Sequence, residues 1–153
     1  MPTISADDLY LALNYGVMPF WALLIFLPFL KITDILVHSV FAPITLGITY
    51  TWLIANVMSG VVPMPDGSGF ASLDALVSTF SVKEAVVAGW AHYLVFDLFV
   101  GAWIARDAQR VGINPFVVAP TLLLTFVVGP IGLLSYLMLR GLTGRGGWSL
   151  FEG

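Results

Sequence analysis

The chain has 153 residues, 59% of them hydrophobic and 10% charged, with a net charge of −3 and no cysteine. A soluble domain carries about 25% charged residues, and a chain this short leaves much of its area exposed, so the composition argues against a water-facing enzyme. The acidic balance argues against a nucleic-acid partner, and the lack of Cys excludes disulfides, thiolate zinc sites, iron–sulfur clusters and Cys nucleophiles.

Taken in order, the chain opens with Ser5 ahead of Asp7 and Asp8, a helix start in which acids favour the N-terminal turn. Residues 9–30 are then free of charge, and a first helix is expected over about 9–31, bent by Pro19 and Pro28. A second is expected over about 35–58, inside the charge-free run 35–65. Residues 59–69 read as a Pro/Gly-rich loop. Phe70, Leu73, Leu76, Val77 and Phe80 then share one helical stripe, which predicts a short amphipathic helix over about 70–82 lying in the membrane interface. A third long helix is expected over about 82–106, with Asp97 in its interior. The fourth, about 115–140, falls in the charge-free run 111–139.

A bilayer core of about 30 Å needs about 20 apolar residues in helix, so each stretch can span. The expected fold class is all-α, an integral membrane four-helix bundle with a short interfacial helix. Residues 1–153 form one transmembrane domain, with both chain ends on the same side. That topology sets Lys83, Arg140 and Arg145 against Lys31, Arg106 and Arg110, a tie that leaves orientation open. No basic residue precedes the first helix, so neither a secretory signal nor a transit peptide is expected. A bacterial inner (cytoplasmic) membrane is the expected location, with the lipid bilayer as the first partner.

Ionisable residues inside spanning helices are costly and mark function by default. At about 100° and 1.5 Å per residue, His92 and Asp97 differ by about 140° and about 7.5 Å, so they do not share a narrow stripe. Tyr93 and Gly101 are the i−4 and i+4 neighbours of Asp97. The plainer reading of Asp97 and His92 is hydrogen bonding between helices. Glu84 suits a helix N-terminus, while Asp107 sits among Arg106 and Arg110 at headgroup level and His38 at the interface. The two histidines are 54 positions apart, which leaves no His-rich metal cluster. No nucleotide or phosphate motif occurs, so no metal or soluble cofactor is expected. Trp52, Phe96, Phe99 and Phe126 fall within helices, as ordinary packing or as contacts to a flat polyene. Tyr10, Trp103 and Trp148 suit the interface.

The stretch from Gly89 to Gly101, followed by Trp103 and Asp107, resembles a family of small four-helix membrane proteins. This is the abscisic-acid-deficient-type family, whose plant member is required at the step forming the carotenoid neoxanthin. The likeness continues at Asn114, at Gly129-Pro130-Ile131-Gly132, and at Asn14 with Pro19-Phe20-Trp21. It implies carotenoid chemistry in the membrane, with a carotenoid as the bound molecule. The plant reaction opens an epoxide without net redox change, which needs an acid at oxygen and a base at carbon. The resemblance places His92, Asp97 and Asp107 at those catalytic positions, and implies Trp90, Tyr93, Phe96, Trp103 and Asn114 as substrate contacts. The family pattern carries Arg where this chain has Ala102; Arg106 lies one turn further on. Two classes stay open: a cofactor-free carotenoid isomerase or epoxide-opening enzyme, and a non-catalytic carotenoid-binding or accessory subunit of a membrane pigment–protein complex.

Overall fold

The computed structural model describes residues 4–147, 149 and 150; Trp148 lies outside the described residues. Among these, all regular structure is helical: α1 (Ala6–Phe26), α2 (Lys31–Leu36), α3 (Phe41–Met58), α4 (Leu73–Thr79), α5 (Lys83–Arg110), α6 (Pro115–Val128) and α7 (Pro130–Leu142). Among the described residues, three stretches are long and apolar enough to cross a membrane: Ala6–Phe26, Lys31–Met58 and Lys83–Arg110.

The sequence boundaries shift at most ends. α1 begins earlier than residue 9 and stops before Pro28. The expected helix 35–58 is two segments, α2 and α3, separated at 37–40. α4 covers only seven residues, capped by the Ser72 hydroxyl, which accepts from the Ala75 N–H at 3.1 Å. Its stripe side chains Leu73 and Val77 are exposed.

The fourth expected helix departs most. Residues 115–140 do not form one span, so the structure does not show a four-helix bundle of continuous spans. Gly129 adopts φ +46° and ψ −101°, outside the helical region, and divides the segment into α6 and α7, each shorter than the roughly 20 residues a crossing requires. The Gly129 N–H still closes on the Thr125 carbonyl at 2.9 Å, ending α6, and Pro130 opens α7 with a φ already helical. Gly132 packs so closely on Thr125 that no Cβ fits between them. The chain therefore turns back, and α7 packs along α6.

The residues cluster into two compact units, Met1–Val17 with Pro43–Val95, and Met18–Ala42 with Phe96–Gly153. α5 contributes buried positions to each. Among its inward positions are Ala85, Ala88 and Ala91 in the first unit, and Gly101, Ala102, Ala105 and Ala108 in the second, beside the larger Val87, Leu94, Leu98 and Ile104. Small residues at helical spacing let neighbouring helices approach closely, the device that membrane helices use where lipid supplies no hydrophobic drive. In the second unit the Trp21 ring of α1 fills the space over Gly101, where a Cβ would lie 2.6 Å from it. Gly101→Val should therefore cost about 1–3 kcal/mol by overpacking. Thermal melting of the detergent-solubilised protein measures this, and Gly16→Ala, whose added Cβ meets nothing within 4 Å, is the control.

Candidate functional site

Within the first unit, the end of α3, α4 and the start of α5 enclose a groove of about 500 Å³. Its walls are Ile54 and Val57 from α3, Phe80 at the end of α4, and Ala88 and Gly89 from α5, with His92, Tyr50 and Thr79 as its polar members. The reason lies in the α5 sequence. Residues 85, 88, 89 and 92 recur at helical spacing on one face, and three of them are Ala or Gly, which leaves a trough along the helix. A Cβ on Gly89 would lie 2.9 Å from the Phe80 ring, so the glycine is what lets Phe80 rest on α5. His92 faces the Tyr50 ring at 5.8 Å between centroids.

Trp90 and Tyr93 occupy a neighbouring face of α5 in the same unit. Their rings stack at 5.2 Å and 22°, and Tyr10 of α1 lies against Trp90 at 5.8 Å. The Trp90 indole donates to Asn14 Oδ1 at 3.2 Å. Asn14, quoted above for the family likeness, thus acts here as the partner of a half-buried Trp.

Asp97 and Asp107 belong to the second unit. Asp97 is 9% exposed, and its carboxylate lies against the α6–α7 corner: a Cβ on Gly129 would sit 2.8 Å from Oδ1 and 3.2 Å from Oδ2. An inward-facing Asp97 is what the cost of a lipid-facing carboxylate demands. Phe96 beside it points outward, at 55% exposure.

Asp107 is wholly buried and held on both oxygens. Tyr136 Oη of α7 donates to Oδ2 at 2.5 Å, Arg140 Nε donates to Oδ2 at 2.8 Å, and Arg110 Nη2 donates to Oδ1 at 2.7 Å. The remaining Arg140 nitrogens donate to the carbonyls of Gly147 at 2.6 Å and Ser149 at 2.8 Å. Trp103 meets Tyr136 edge to face at 5.7 Å. Such a cluster joins α5, α7 and the following segment through charge-assisted bonds. Asn114 caps α6, its side chain accepting from the Phe116 N–H at 2.9 Å.

Among the implied catalytic residues, the structure sets His92 on the apolar groove, Asp97 at the helix corner and Asp107 in an ion cluster. Sequence reading missed Tyr136, and it took Arg140 as a plain helix end. Their i, i+4 spacing on α7 was the available signal, since both then face one side.

The family described as ABA DEFICIENT 4-like matches residues 8–136. Protein ABA DEFICIENT 4, chloroplastic, of Arabidopsis thaliana is 24% identical over 149 residues, covering 92% of this chain and 64% of the plant protein. The chain thus spans a little under two thirds of that relative's length. No solved structure matches.

Proposed function

The chain belongs to the ABA DEFICIENT 4-like family, and from that premise we propose an integral membrane protein of carotenoid or isoprenoid metabolism. It takes a polyene into the groove between α3, α4 and α5 and isomerises it by proton transfer at His92. The observation that carries this reading is the groove itself: aliphatic and aromatic walls, a volume of about 500 Å³, and an imidazole on its surface. Ligand pockets commonly measure about 300–1,000 Å³ and pair apolar walls with few polar groups. Imidazole is the side chain best matched to giving and taking protons near neutral pH. A redox-neutral epoxide opening needs one proton delivered to oxygen and one removed from carbon, so the step balances without an oxidant or reductant. Asp107, with both oxygens engaged, is assigned to holding α7, and Asp97 to the corner beside Gly129. The membrane in question is taken to be a bacterial inner membrane.

A second reading, a carotenoid-binding subunit of a larger membrane assembly, is favoured by the outward aromatic faces of Phe96 and Phe99, both more than half exposed. One experiment separates the two. Purified protein is incubated with a carotenoid epoxide in detergent micelles, then re-isolated and extracted for chromatography. The enzyme reading expects a product of altered retention, whose formation falls about 10²–10⁴-fold in His92→Ala, the range for loss of an acid–base group. Retained but unchanged carotenoid supports the subunit reading. A protein that neither retains nor converts carotenoid overturns both.

A further inference from the structure

Lys and Arg number six, and the fold gathers five of them at one level. Lys83 opens α5, while Arg106 and Arg110 close it. At 1.5 Å per residue a helix of 28 residues is about 42 Å long, more than the roughly 30 Å hydrocarbon core, so its two ends emerge on opposite faces. A continuous fourth span would carry Arg140 and Arg145 to the Lys83 face. Instead α7 returns: Arg140 Nε lies 2.8 Å from Asp107, and Arg145 Nη1 donates to the Gly112 carbonyl in the α5–α6 turn. The last turn of α1 and the residues just after it pack here too, with Leu24 and Pro28 beside Ala105 and Ala108, which brings Lys31 to this end. The tie of three against three becomes five against one. Conversely, Asp7, Asp8 and Glu84 stand in the first turns of α1 and α5.

We propose that α6 and α7 form a re-entrant hairpin, which enters the bilayer from the basic face and returns to it, and that this face docks on the anionic headgroups of the cytoplasmic leaflet. The inference rests on reading the chain as membrane-spanning. Each arm is about 20 Å long, enough to reach mid-depth and too short to cross. A non-helical corner at that depth is tolerated only where protein covers it, and Gly129 is buried against Asp97 of α5. Arg140 is buried on Asp107, so the rim that meets headgroups is Lys31, Arg110 and Arg145, all exposed, with Arg106 half-buried. This rim suits the leaflet that Lys and Arg mark in membrane proteins generally, and negative lipid headgroups complement it.

The chain has no native cysteine, so single variants report cleanly. Ser68→Cys, Val111→Cys and Thr143→Cys are expressed in bacteria and treated with an impermeant maleimide in right-side-out and inverted vesicles. Positions 111 and 143 should label only in inverted vesicles, and 68 only in right-side-out ones. Labelling of 143 together with 68 overturns the hairpin. Labelling of 111 and 143 together from the outer side overturns the leaflet assignment. So does an unchanged orientation, in vesicles containing phosphatidylglycerol, of a Lys31→Gln/Arg106→Gln/Arg110→Gln/Arg145→Gln variant, which leaves only the buried Arg140 against Lys83. An alkaline carbonate wash tests the premise separately: release of the protein from the membrane pellet sinks the spanning reading, whatever the labels show.

Discussion

Replacing Asp107 by alanine should destabilise the protein by about 3–5 kcal/mol, the range for removing one partner of a buried ion pair. Arg140 is 3% exposed and Asp107 is 0% exposed, so the cation left behind has no water to replace its partner. Tyr136, also wholly buried, loses the acceptor of its 2.5 Å bond in the same step. Arg110 contributes less, because its side chain is more than one third exposed and solvent screens that pair. Removing both ends of the buried pair separates charge from packing. Asp107→Ala combined with Arg140→Leu should recover part of the loss, since no buried charge then stands unmatched. Melting of the purified variants in one detergent gives the ranking. An Asp107→Ala protein that melts with the parent would show that the cluster does not hold α7.

Gly129→Ala should be nearly as severe, at about 2–6 kcal/mol. Two costs add. A backbone at φ +46°, ψ −101° lies in a region that L side chains rarely adopt, a strain of about 1–3 kcal/mol. The new methyl also meets Asp97 Oδ1 at 2.8 Å, and overpacking of this kind costs about 1–3 kcal/mol. Asp97→Ala in the same chain relieves the second cost and leaves the first, so the double variant should fall between Gly129→Ala and the parent. Gly141→Ala in α7 meets nothing within 4 Å and should be neutral or slightly stabilising, as Ala favours helix. If Gly129→Ala instead matches Gly141→Ala, the corner is not the constraint described.

The same corner shows where the sequence stopped being informative. Charge-free runs report which residues prefer lipid or a protein interior, and that preference was enough for α1 and α3, while α5 was legible as an apolar stretch of spanning length interrupted by Asp97. It says nothing about direction. Residues 111–139 look alike whether the chain crosses the bilayer or turns back halfway, because both paths keep the same side chains out of water. Gly129-Pro130-Ile131-Gly132 was visible as part of a family likeness, but Gly and Pro also occur inside ordinary membrane helices. Their meaning here depends on Thr125 lying against Gly132 and on Asp97 lying against Gly129, contacts made across 7 and 32 positions.

Among the proposed site residues the division is similar. His92, Asp97 and Asp107 stood out because ionisable groups are rare in apolar helices, a property of each residue and its neighbours along the chain. Whether such a group faces an apolar groove, a glycine corner or two arginines is a property of what folds against it. Tyr136 went unmarked and Arg140 read as a helix end because nothing local marks a side chain as the partner of a carboxylate 29 or 33 positions earlier. Hydropathy, caps and helical spacing act within a few turns, so composition alone established an all-helical chain with spans of membrane length. Partner choice and chain direction depend on contacts between distant segments, and those were settled when α7 turned back onto α5.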